Sequence, residues 1–176
     1  MPHAIRIYET GGPEVMRWEE VEVGAPGAGE VRVRNTAVGL NFIDTYHRTG
    51  LYPMQLPLTL GMEGAGVVEA VGPKVKGFKV GDRVAYANPI GSYAEVCLRP
   101  VARLVKIPAG VDDKIAAAIM LKGMTAWYLC KRTFKVAKGH TILVHAAAGG
   151  VGQILCQWSK HLGATVIGTV GSDEKA

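Results

Sequence analysis

Disulfide chemistry has almost no material in this sequence. Its three cysteines, Cys97, Cys130 and Cys156, are odd in number and widely spaced. With no C-x-x-C pair, neither a disulfide framework nor a cysteine-rich zinc module is available. Buried thiols in a reducing cytoplasm are the expectation. Long apolar runs are also missing: none approaches the ~20 residues that a membrane-crossing helix requires. The opening MPHAIRIYETGG is too short and too charged for a secretory signal. Aromatics make up only 7% of the 176 residues, beside 48% hydrophobic and 20% charged. That is the composition of a globular chain and excludes disordered and collagen-like classes. Acidic residues run short in one region only. Residues 1–100 carry 10 Lys+Arg against 11 Asp+Glu, whereas residues 101–176 carry 10 against 4. The second part is therefore expected to meet an anion or to form one face of something larger.

Glycine is what the sequence has in excess, 23 residues scattered without a repeat. Scattered glycine marks tight turns and close backbone approaches rather than flexible low complexity. The first hundred residues predict short strands at AIRIY (4–8), EVRVRNTAV (30–38), AGVVEAV (65–71), DRVAYA (82–87) and SYAEVCL (92–98). They are separated by GGP, GAPGAG, GPKVKG and NPIG, a pattern of turns that suggests a compact β barrel or sandwich. After Pro108 the texture changes. DDKIAAAIMLKG predicts a helix that opens at Asp112 and Asp113 and ends at Gly123, and residues 124–134 carry helical spacing of their own. HTILVHA (140–146) predicts a buried strand, GGVG a tight turn, residues 153–163 an amphipathic helix and ATVIGTV (164–170) a second strand. Strand–turn–helix–strand is a βαβ unit and implies a parallel sheet. One such unit cannot close a doubly wound sheet of about six strands, so a longer polypeptide is expected.

The turn Ala147-Ala148-Gly149-Gly150-Val151-Gly152 is a relaxed dinucleotide fingerprint in the context its mechanism requires, after one strand and opening a helix. Glycines let the backbone approach a pyrophosphate, and the free N–H groups of the helix start at Val151 favour its charge. An NAD site places a carboxylate at the end of the second strand. Here that strand ends Thr169-Val170-Gly171-Ser172, with Lys175 following. Ser172 and Lys175 suit a ribose phosphate and point to NADPH; Asp173 and Glu174 are the opposing signal.

GMEGAGVVEAVG (61–72) resembles the GHE signature of the medium-chain dehydrogenase/reductase superfamily. Gly39–Tyr46, Arg48–Pro53, Leu121–Ala126 and HAAAGGVGQILCQWSKHLGA resemble its quinone oxidoreductase branch, similar to zeta-crystallin. The resemblance spans essentially the whole chain. It implies a GroES-like β domain over residues 1–122, followed by the incomplete start of an NADPH-binding Rossmann domain over 123–176, with cofactor in the cleft between them. Zinc-dependent members ligate metal through a Cys, the His of GHE and a further Cys or acid. This sequence has Asn41 and Met62 at the first two places and Lys122 near the third, which is not a zinc donor set, so no metal is expected. The isolated histidines show no ligand spacing, and His145 is expected in the core. The resemblance places Phe42, Asp44, Tyr46, Lys122, Thr125 and Tyr128 against the cofactor, together with Gly149, Gly150, Val151, Gly152, Gly171, Ser172 and Lys175. Asn41, Tyr46 and Tyr52 fall in one Gly/Pro-bounded loop and are the candidates to polarise a carbonyl in place of zinc. The phenols could equally serve packing, Asp44 could be a general acid or cap a turn, and Tyr128 could serve helix packing. The implied activity is NADPH:quinone oxidoreduction in the cytoplasm, by hydride or electron transfer. Reduction of an enone or alkenal is the alternative on the same scaffold, and a non-catalytic NADPH- or RNA-binding protein the alternative outside enzymes. The basic run Lys131, Arg132, Lys135 and Lys138 has only Phe134 for stacking. It reads as a solvated helix end rather than a nucleic-acid surface. Family resemblance implies a homodimer or homotetramer at full length.

Overall fold

A computed structural model describes residues 1–176, which divide into two compact units, Met1–Met120 and Leu121–Ala176. The amino-terminal unit contains β1 (His3–Ile7), β2 (Arg17–Glu20), β3 (Glu30–Gly39), α1 (Phe42–Thr49), β4 (Leu58–Thr59), β5 (Glu63–Val71), β6 (Arg83–Ala87), β7 (Val96–Pro100) and β8 (Leu104–Lys106). β3, β5, β6, β7 and β8 form a five-stranded sheet in the order β7-β3-β5-β6-β8, and β2-β1-β4 form a second sheet. Every pairing is antiparallel. The two sheets are stitched by an Ala4–Ala94 bridge and by the Ile5 N–H donating to Tyr93 O at 2.8 Å. Bulges at Arg32/Val33 and Asn35/Ala37 break the β3–β5 register and bend β3 strongly, as extra residues in one strand do. Val31, Val33, Val68, Val84, Tyr86, Cys97 and Leu104 form the main core, capped by Val75, Phe78 and Val101. A second cluster packs Ala116 and Ala117 against Ala65, Ala85 and Ile107.

Three local expectations are corrected. SYAEVCL does not run as one strand: β7 starts only at Val96, because Ser92–Ala94 turn to hydrogen-bond the backbone at Leu60 and Gly61. The Asn41–Tyr52 stretch is not a loop but contains helix α1. The helix expected to stop at Gly123 runs on as α2 (Asp113–Tyr128) and passes into a π-helical turn at Leu129–Thr133. Glycine within a helix costs ~1 kcal/mol relative to alanine. Strong helix formers on both sides of Gly123 and the absence of proline outweigh that cost. At the other end, the Asp112 carboxylate accepts the Lys114 N–H at 2.8 Å and so caps α2.

The carboxyl-terminal unit holds β9 (Thr141–Val144), α3 (Gly150–His161) and β10 (Thr165–Gly168), with β9 and β10 parallel in the register Thr141–Thr165 to Val144–Gly168. Within residues 1–176 only Val144 of HTILVHA is buried, and Leu143 is 56% exposed. A two-stranded sheet covered by one helix leaves alternate side chains on the open face. His145 is exposed rather than in the core, because β9 has already ended; its Nδ1 meets Thr169 Oγ1 at 3.0 Å.

Candidate active site

In the amino-terminal unit the site grows from helix α1. Its first turn is tied by Asp44, whose Oδ2 accepts the Asn41 N–H at 2.9 Å, half of a capping box. The helix ends at Gly50 with φ +81°, a left-handed position that glycine enters without strain. That reversal brings Tyr52 back over the helix, where its N–H donates to Tyr46 O at 3.2 Å. Tyr46 and Tyr52 thereby meet edge to face with ring centroids 5.2 Å apart, and Phe42 adds a second edge contact to Tyr46 at 5.3 Å. Phe42 and Tyr52 are largely exposed. The result is an open aromatic surface carrying two phenols.

Beneath it lies a buried polar layer. The Asn41 amide donates through Nδ2 to Glu63 Oε1 at 2.8 Å, and the Glu63 side chain is fully buried. Tyr93 Oη donates to Asp44 Oδ2 at 2.7 Å. Burial raises the Asp44 pKa above its usual value, against the opposing pull of the Tyr93 and Asn41 hydrogen bonds. Burial, with the Asp44 carboxylate beside it, pushes the Tyr93 phenol well above its ordinary range. Asn41 thus spends its amide N–H on Glu63, and Asp44 serves as a helix tie. Glu63, Tyr93 and His47 complete this layer without having been singled out from the sequence. For Glu63 a signal existed in its place inside GMEGAG, between small residues that leave room only for backbone. Tyr93 gives none, because its contact with Asp44 spans 49 positions. Met62 is buried and offers a thioether. No group of three or more His, Cys, Asp or Glu side chains comes together.

In the carboxyl-terminal unit the βα turn is tight and closely packed against α3. Ala146 takes φ +53°, which redirects the chain after β9, and Gly149 N–H closes the turn on Ala146 O at 2.8 Å. A Cβ on Gly152 would collide with Ala146 O and Ala147, so α3 can pack this close to the turn only with glycine there. The aliphatic stem of Lys122 lies over Gly150, close enough that a Cβ there would meet Lys122 Cδ at 2.8 Å. Ala146, Ala148, Gly149, Val170, Gly171 and Lys175 line a cavity of about 190 Å³ at the start of α3. Ser172 leads into a short 3-10 turn, Asp173–Lys175, and all of these residues are exposed. The expected cofactor residues Gly149, Gly171 and Lys175 therefore share one cavity, with Gly150, Val151 and Gly152 forming the helix start beside it. Thr125 is engaged with its own helix, donating to Leu121 O at 2.8 Å, and Tyr128 is 46% exposed.

The family profile described as Alcohol dehydrogenase GroES-like domain matches residues 27–109. A quinone oxidoreductase of Pseudomonas aeruginosa is 56% identical over 178 residues, covering 100% of this chain and 55% of the relative. A 2-haloacrylate reductase of a Burkholderia species is 51% identical, with the same 100% and 55% coverage. The crystal structure of Escherichia coli quinone oxidoreductase complexed with NADPH superposes with a TM-score of 0.96 at 46% identity, covering 99% of this chain and 54% of that one. The chain thus spans about half the length of the relatives it matches. It belongs to the quinone oxidoreductase branch of the medium-chain dehydrogenase/reductase superfamily.

Proposed function

We propose that this chain provides the reactive-site domain and the first nucleotide-binding unit of a zinc-independent NADPH:quinone oxidoreductase. The cavity at the start of α3, joining Gly149 and Gly171 to Lys175, carries the proposal. Backbone N–H groups and a helix start suit a pyrophosphate, and a lysine with no acid in the lining suits the additional phosphate of NADPH. The residues present fit that cofactor: glycines at Gly150 and Gly152 leave its backbone approach open, and the Ser172 hydroxyl and Lys175 ammonium are groups that suit a ribose phosphate. When bound, NADPH supplies the hydride.

The chain's own residues bind, orient and donate. Tyr46 and Tyr52 present phenolic O–H groups on an exposed aromatic surface that can stack a planar acceptor and donate to its oxygen as charge develops there. A phenol of ordinary pKa ~10 is a weak acid, so the site suits an acceptor already electron-poor, such as a quinone. Asn41, Glu63, Asp44 and Tyr93 hold α1 in place from below. Asn41 and Met62 are not a Lewis-acid donor set, so this reading derives no step through a metal.

A second reading, reduction of an activated alkene, is favoured by the 51% identity to a 2-haloacrylate reductase. The same donors would stabilise the enolate oxygen. Following NADPH oxidation by the full-length protein with 1,4-benzoquinone, with an alkenal and without acceptor separates the readings. Benzoquinone-dependent oxidation is expected, and oxidation with the alkenal alone would favour the second. No turnover with tight NADPH binding would point to a binding protein. A cytoplasmic location and self-assembly into a dimer or tetramer accompany the proposal; sizing chromatography of the full-length protein tests the latter.

A further inference from the structure

Helix α1, which carries the two donor phenols, is too short to hold its own place. An isolated helix of eight residues is marginal in water, and Phe42 on its outer face is exposed. Two side-chain hydrogen bonds grip its amino-terminal end from below. Asn41 Nδ2 donates to Glu63 Oε1 at 2.8 Å, and Tyr93 Oη donates to Asp44 Oδ2 at 2.7 Å.

Tyr93 is a fixed point. Its N–H donates to Leu60 O at 2.9 Å and its carbonyl accepts the Ile5 N–H at 2.8 Å. Its ring packs on the cluster of Ile7, Leu58 and Leu60. A Cβ on Gly61 would stand 2.2 Å from Tyr93 Cδ1, so glycine at that position is what admits the ring.

Asp44 is the pivot. It is 4% exposed; Oδ2 accepts from both Tyr93 Oη and the Asn41 N–H, whereas Oδ1 is buried with no hydrogen-bond partner. Two donors aimed at one oxygen suit a carboxylate, since hydrogen bonds to an ionised acceptor are the strong ones. A proton on Oδ2 would compete with both donors, and one on Oδ1 would find no acceptor in reach. The groups that face Asp44 pull both ways. Burial first, and the Glu63 carboxylate of β5, favour its neutral form; Tyr93, the Asn41 N–H and the His47 imidazole one turn along α1 favour the ionised one. Burial prevails, so the carboxyl titrates above the ordinary aspartate range.

On the quinone-reductase reading, on which this rests, we propose that Tyr93, acting through the ionised Asp44 carboxylate, is the positioning residue of the Tyr46–Tyr52 donor surface, which loses its working arrangement when Asp44 takes up a proton. Because burial favours the neutral form, that proton lowers the rate without itself unfolding the chain.

Two measurements test this. The first needs neither cofactor nor turnover: a pH titration of the Asn41 backbone amide resonance by NMR, which reports the charge on Asp44. One midpoint above the ordinary aspartate range is expected. Tyr93→Phe, which deletes a hydrogen bond to the ionised form, should move it up by about one pH unit. The second is kcat for benzoquinone reduction by the full-length protein over the same pH range. Turnover should fall about tenfold towards acid, with the midpoint of the amide titration, and the fall should move with that midpoint in Tyr93→Phe. An unmoved midpoint in the variant, or turnover that ignores the amide titration, would overturn the proposal. So would a Tyr93→Phe loss that is equal at every pH, the mark of a merely structural tyrosine. If the variant does not fold, the unsubstituted protein decides: coincident midpoints support the tie and separate ones refute it. Absence of turnover at every pH, with the amide titration intact, would refute the quinone-reductase reading itself and this proposal with it.

Discussion

At the residue scale, the chemistry rests on a few side chains whose roles differ in what they can lose. Tyr46 and Tyr52 carry a hydroxyl each on rings 5.2 Å apart. If one phenol donates to the acceptor oxygen, its removal should lower turnover more than binding. For Tyr46→Phe or Tyr52→Phe in the full-length enzyme, about a tenfold loss in kcat is expected, ~1.4 kcal/mol. Steady-state kinetics with benzoquinone check this, and near-normal rates in both variants would leave only a stacking role for the rings. Lys175 is exposed and lines the cavity beside Gly149 and Gly171. Losing a charge-assisted phosphate contact costs ~1.5–3 kcal/mol. Lys175→Ala should therefore weaken NADPH by roughly 10- to 150-fold and leave NADH nearly unchanged, which fluorescence titration of both cofactors measures. Equal losses would show that Lys175 does not read the phosphate.

At the scale of elements, Asp113 shows how a helix start is fixed to a sheet. The first residue of α2 accepts from Thr36 of β3 at 2.6 Å and from Arg83 of β6 through Nε at 3.0 Å and Nη2 at 2.5 Å. The Thr36 hydrogen bond first, with the Arg83 guanidinium reinforcing it, holds the Asp113 pKa below the usual carboxylate range. A depressed carboxylate pKa contributes stability that is present above the unfolded pKa and lost as pH falls through the folded one. The window for this group lies below about pH 4. The Arg83 side chain is 39% exposed, so the contribution is about 1 kcal/mol rather than that of a buried pair. Asp113→Asn should lower stability by about that amount at pH 7 and converge with the unsubstituted protein near pH 2, as urea titrations at both pH values would reveal. A constant difference across that range would mean that the aspartate acts by packing alone. Asp44 has the opposite sign. Its raised pKa means that the ionised form costs stability, a cost absent below the unfolded pKa and growing as pH rises towards the folded one.

At the scale of the molecule, the proposed function assigns a different part to each unit, an aromatic donor surface to one and a phosphate-binding turn to the other. The acid shortage of residues 101–176 falls in the region that contains that turn. Glycine serves both units structurally, with Gly50 reversing the chain after α1 and Gly152 letting α3 pack close to the turn after β9. The donor set predicts metal independence for the whole protein. Elemental analysis of purified protein should find well under one zinc per chain, with no change in melting temperature on chelation. Stoichiometric zinc lost to a chelator would overturn the mechanism.

The local features of the fold were legible wherever the signal was local. Strand runs punctuated by turn residues, the Asp112 cap and the glycine fingerprint between an apolar run and an amphipathic helix each act within a few residues, and a linear reading captures them. α1 was missed although Asn41-x-x-Asp44 announces a capping box, because eight residues with an exposed aromatic face carry little core periodicity. Tertiary structure alone decided which groups of the site touch. The Asn41 amide is committed to a glutamate 22 positions away, and Asp44 is satisfied by a tyrosine 49 positions on. It also decided that Arg99, unexceptional in the sequence, is buried against the Tyr86 ring with its Nη1 donating to Leu98 O. Pairings of that range follow from sheet order and register, set by the summed packing of all strands, so no window of the sequence contains them.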